Sequence, residues 1–160
     1  MNTITIYHIA LVTHVVGFTM MAGTTLVDYV IFKQFRKQFA INRQKGLSIL
    51  EAISKLPVLF GIGFILLIIS GVTMMAITHG LFGEQTWFRI KFGIIIAIAI
   101  NGLAVGRRQG LKLRRITNQD EPGKTDEVKL LKVKNNIRMF HISQLAFFFI
   151  IFILSVFKFN

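Results

Sequence analysis

LPVLFGIGFILLIISGVTMMAI runs from Leu56 to Ile77 without one charged side chain. In a helix rising 1.5 Å per residue, about 20 apolar residues cross the roughly 30 Å hydrocarbon core of a bilayer. Three further blocks have the same character, at residues 4–32, 87–106 and 139–157. Their apolar residues run continuously instead of alternating, which predicts spanning helices, not barrel strands. Across the 160 residues only 16% are charged, against about 25% in a soluble domain. The length suits one domain. There is no cysteine, so disulfides, thiolate metal sites and cysteine nucleophiles are excluded. The sequence therefore predicts an all-α integral membrane four-helix bundle. The first block has no basic lead and is about twice the length of a signal-peptide core, so it is expected to stay as a span.

The basic residues set an orientation. Residues 33–55 hold Lys33, Arg36, Lys37, Arg43, Lys45 and Lys55, and residues 107–138 are denser still in Lys and Arg. The chain before His8 and the 78–86 connection hold none. The positive-inside rule then makes both long loops cytoplasmic and puts both termini on the non-cytoplasmic side of a multi-pass protein of the cell's inner (cytoplasmic) membrane. The formal net charge of +12 reads as topology and anionic-lipid contact. No basic stripe interleaved with aromatics accompanies it, so nucleic acid is not an expected partner. Within 107–138, RRQGLKLRR extends the third helix, Pro122-Gly123 signals a turn, and VKLLKVKNNIR leads into the fourth helix.

Ionisable groups inside a span are costly and point to function. Along the first helix Tyr7, Ala10, His14, Gly17, Met21, Thr24 and Asp28 share one face, predicted to turn into the bundle, with Val12, Val15, Phe18 and Leu26 elsewhere. His8 lies about 9 Å above His14 and about 120° around the helix, so the two are not expected to hold one metal together. Only about 22 Å of helix separates Lys91 from Arg107, which places Lys91, and with it Arg89, at or inside the hydrocarbon edge. Each either snorkels or faces an anionic ligand group. By depth the candidates divide into an outer cluster (His8, Lys91, with Arg89, His79 and Glu84) and an inner one (Asp28, His141, Gln144).

No GxSxG, HExxH, Walker or Rossmann motif occurs, and Asp28 is the only acid within a span. Histidine with nearby cations in an apolar bundle suits a tetrapyrrole. Imidazole ligates iron, Lys or Arg neutralises propionates, and the ring needs a dry slot. The expected cofactor is haem b. Its candidate residues are His8, His14, Lys91, Arg89 and His141, with His8 and His14 as metal ligands.

The layout resembles the HemJ-type protoporphyrinogen oxidases and their CopD-like membrane relatives. A His opens the first helix, as His8 does in IYHIALVTHVVGF. A Lys follows a Trp at the head of the third, as Lys91 does in TWFRIKFG. Pro57 starts the second helix, and the fourth opens on Arg138 and Phe140 and closes on Lys158. The resemblance implies a four-helix fold, b-haem or porphyrin binding, and His8 with Lys91 as the functional pair. The sequence departs from the family in three places. His141-Ile142-Ser143-Gln144 stands where the family has Asn-Glu-x-Pro, Leu26 to Asp28 where it has Pro-Arg, and Lys158-Phe159 where it has Lys-Pro.

A porphyrinogen oxidase would need an electron acceptor such as a quinone or a redox protein partner. Two other readings stand beside it. One is a proton- or metal-ion-translocating protein using His14 and Asp28, with copper or zinc favoured at histidine. The other is a non-catalytic accessory subunit of a membrane complex. Glycines at 17, 61, 63, 71, 93 and 102 predict close helix packing, within the chain or in a homodimer.

Overall fold

The computed structural model describes residues 2–81, 83–117 and 127–157, and all of its regular structure is helical. Four continuous helical stretches are long and apolar enough to cross a membrane. α1 covers Thr3–Ile41. α2 (Arg43–Ala52) runs through a short 3₁₀ turn, Ile53–Lys55, into α3 (Leu56–Ile77). α4 (Thr86–Ile100) widens to π geometry over Asn101–Gly106 and continues as α5 (Arg107–Thr117); α4 to α5 form the third span. α6 is Glu127–Val156. Pro122-Gly123, Lys158 and Phe159 lie outside the described residues.

The stretch 33–55, expected as a loop, is helical. At about 58 Å, α1 is nearly twice as long as a bilayer core is thick, because Phe32, Phe35 and Phe39 continue its apolar face beyond the span. Asn42 stops it with extended backbone and caps α2, its Oδ1 accepting from the Lys45 amide at 3.1 Å. A second core forms at this basic end. Phe32, Phe35, Leu50, Leu113, Leu130, Val133 and Ile137 bring α1, α2, α5 and α6 together there. Arg43 fastens it by donating from Nη2 to the Thr117 carbonyl at 2.9 Å, satisfying an open carbonyl at the end of α5.

The mid-span core consists of Met21, Leu67, Ile98, Phe148 and Ile151. The predicted inward face of α1 holds: Ala10, Gly17 and Met21 are buried, while Val12, Val15 and Leu26 are exposed. Phe18 is a correction, since its ring meets Phe148 edge-on at 5.6 Å and joins this core. Gly17 and Gly63 let α1 and α3 cross backbone to backbone. A Cβ on Gly17 would lie 2.8 Å from the Gly63 carbonyl oxygen, and one on Gly63 2.9 Å from the Gly17 oxygen. α6 packs on α1 and on the third span, whereas the backbones of α3 and the third span stay apart and meet through side chains, Leu67 and Ile98 sharing the mid-span core. Toward the basic end a seam between them stays open.

Candidate functional site

Polar side chains gather at two depths, and both groups are anchored on α1. The group farther from the basic end centres on His14. Its Nδ1 lies 3.0 Å from the Oγ of Ser70 on α3. Ser70 is buried, and its one hydroxyl proton is drawn to the Leu66 carbonyl at 2.6 Å, with Leu67 O at 3.1 Å. Oγ therefore accepts and His14 Nδ1 donates, which is the tautomer whose lone pair lies on Nε2. Gly71 lets this ring lie close against α3, since a Cβ there would stand 3.4 Å from His14 Cε1. Lys91 lies within electrostatic reach of His14, and its ammonium sits 5.8 Å from the centroid of the buried Trp87 ring.

The other outer residues are placed differently from the expected cluster. His8 is exposed, its ring against Tyr7 at 6.2 Å. Arg89 is exposed and donates from Nε to the Gly83 carbonyl at 3.0 Å, which ties down the 78–85 turn. His79 is exposed in that turn at φ 50°. Among the described residues no three His, Asp or Glu side chains converge as a metal site.

Toward the basic end, Asp28 and His141 meet, with His141 Nε2 donating to Asp28 Oδ2 at 2.9 Å. The His141 ring is enclosed by Tyr29, Phe32 and Phe140, with centroids 5.9, 5.6 and 5.1 Å away. Its Nδ1 is buried with no hydrogen-bond partner among the described residues. Nε2 is thus used, and Nδ1 is covered by protein. Its geometry is that of a residue that holds Asp28. Beside it Asn101 donates to Gln144 Oε1 at 2.8 Å and to Ser143 Oγ at 3.2 Å, and Gln144 donates to the Ile98 carbonyl at 3.3 Å. These bonds join α6 to the third span at the start of the π turn, a geometry frequent at functional sites.

The open seam encloses a cavity of about 490 Å³ between α1, α3 and the third span. Gly102, Gly106 and Gly110 line it at a spacing of four, with the Phe140 ring lying on Gly106, where a Cβ would stand 2.8 Å from it, and Phe60 and Phe64 of α3 line it as well. Phe60 reaches toward Gly102, where a Cβ would lie 3.9 Å from its ring. Asp28 and His141 contribute the acidic couple, and Arg107 and Arg114 line the part nearest the basic end.

Ser70 and the lining glycines were missed in the sequence, although each had a signal. Ser70 is the lone serine of an uncharged span, and the glycines recur at i, i+4 and i+8. No family model, curated protein or solved structure matches this chain.

Proposed function

We propose that this four-helix membrane protein binds a b-type haem or related porphyrin and acts in redox chemistry, with His14 as the iron ligand. The observation that supports this is the hydrogen bond from His14 Nδ1 to Ser70. Histidines that ligate metals commonly donate their second nitrogen in this way, which fixes the tautomer and the ring orientation. The donor set suits the group: a lone pair on Nε2, and Lys91 within electrostatic reach to neutralise a propionate. His8, exposed beside Tyr7, is the weaker candidate ligand. Arg89 keeps its terminal nitrogens for an acidic group at the surface.

Bound haem supplies one-electron chemistry at the iron. The chain's own part is to hold the imidazole, to balance the acid charges and to exclude water. With the basic end in the cytoplasm by the positive-inside rule, this site lies in the non-cytoplasmic half of the inner membrane, with both termini on that side.

The ion-path reading has less support. His14 and Asp28 stand about 21 Å apart along α1. Between their levels Met21, Leu67, Ile98 and Phe148 close the bundle with apolar side chains.

The test is an absorption spectrum of the detergent-purified protein, first oxidised and then reduced with dithionite. A Soret band with sharp reduced α and β bands is expected, lost in His14→Ala and kept in His8→Ala. A flat visible spectrum after haem is added back rejects the reading.

A further inference from the structure

We propose that the open seam between α3 and the third span binds the ring of a membrane quinol, with the Asp28 carboxylate accepting a hydrogen bond from one of its hydroxyls. Three features fix the ligand's class. First, the cavity is lined by helices long and apolar enough to cross a membrane, so a membrane-dissolved molecule is the ligand nearest to it. Second, the glycines of the third span and the rings of Phe60 and Phe64 on α3 make an apolar slot whose shape suits a flat ring. Third, the acidic group in this slot is held in place. His141 Nε2 occupies Asp28 Oδ2, while the carboxylate remains 30% exposed, so Oδ1 is left to accept from a ligand.

A neutral hydroxyl is the group that such an acceptor selects. At Oδ1 a phosphate or fatty-acid head would meet the negative charge of Asp28 and be drawn instead to Arg107 and Arg114, while an amine would share the cavity with those two cations. Asp28 also lies about 6 Å inside the end of the apolar block at Phe32, close to the polar boundary, where an amphiphilic ring comes to rest. The site does not depend on haem at His14, so a colourless protein leaves it standing.

The probe is a photoreactive azidobenzoquinone, reduced to its quinol and cross-linked to the full-length protein in lipid nanodiscs. Duroquinol, duroquinone and a short-chain phosphatidylglycerol serve as competitors. Adducts are expected on peptides containing Phe60–Phe64 and Gly102–Gly110. Duroquinol should compete about tenfold better than duroquinone, the value of one hydrogen bond to a charged acceptor. Asp28→Asn, which gains an N–H donor, should erase that preference. Gly110→Leu should abolish labelling with the melting temperature kept, because nothing lies within 4 Å of the added Cβ and the side chain fills the slot. Adducts spread over lipid-facing residues, competition by the phospholipid and not by duroquinol, an unchanged preference in Asp28→Asn, or full labelling of a folded Gly110→Leu would each overturn the proposal.

Discussion

Asp28 of α1 and His141 of α6 are 113 positions apart and meet at 2.9 Å, with the imidazole 2% exposed and the carboxylate 30%. The asymmetry makes the two residues unequal. Removing the imidazole leaves a carboxylate inside the bundle without its donor, and an unsatisfied charged group costs about 1–3 kcal/mol or more. Removing the carboxylate's charge leaves an amide that still accepts. His141→Ala is therefore expected to destabilise by about 2–3 kcal/mol and Asp28→Asn by about 1 kcal/mol or less. In the double variant the loss should be smaller than the sum. Reversible unfolding in mixed micelles measures all three, and strict additivity would show that the pair is not coupled.

The α1–α3 crossing makes a second prediction. A methyl group at Gly17 or Gly63 would enter the neighbouring backbone at 2.8–2.9 Å, and backbone cannot rotate aside as a side-chain end can. Gly17→Ala and Gly63→Ala are each expected to cost about 1–3 kcal/mol. Gly23→Ala and Gly93→Ala, whose Cβ atoms meet nothing within 4 Å, should be neutral or slightly stabilising through helix propensity. Melting temperatures of the four variants in one detergent decide the matter; equal values would mean that the helices do not cross at this point.

These two relationships show what was legible in the sequence. The four spans followed from uninterrupted apolar runs, and the inward face of α1 followed from spacing, because both are local properties. The level of Asp28 with His141 followed from counting rise per residue. The partner of His14 did not, because Ser70 can be matched to it only once the register of α1 against α3 is known, and the Gly17–Gly63 crossing sets that register. The helicity of 33–55 was hidden by its charges, although Phe32, Phe35 and Phe39 carry the helical repeat. The open seam was illegible, since it is a property of which helices fail to pack.

Lys134, outside the membrane on α6, tests the core at the basic end. Its ammonium lies 4.8 Å from the Phe39 ring and 5.9 Å from Phe35. The rings favour the charged form, but burial, aided by the positive charge of Arg36, outweighs them and lowers the Lys134 pKa below its ordinary 10.5. The folded state therefore binds this proton more weakly than the unfolded chain. The penalty is full below the folded pKa and disappears as pH rises past 10.5. Lys134→Met should accordingly raise the melting temperature at pH 7, and the gap to the parent should narrow as pH approaches 10.5. A gap that stays constant with pH would assign the gain to packing alone.

Ser70 offers a test of tautomer control that loss of the histidine cannot give. His14→Ala removes the ligand outright, so a colourless product would also follow from misfolding. Ser70→Ala leaves the imidazole in place but removes the acceptor for Nδ1–H, freeing the ring to rotate and to exchange tautomers. Outer-shell partners of this kind are worth about 10- to 100-fold in metal affinity. Ser70→Ala is expected to bind haem within that range more weakly, with a broadened Soret band, while Ser70→Thr keeps the hydroxyl and restores binding. Titration of the apoprotein with haemin, followed by absorbance, measures all of this. Equal affinity in parent and Ser70→Ala, with His14→Ala still colourless, would leave His14 as a ligand without a positioning role for Ser70. Equal affinity in all three would remove His14 from the site.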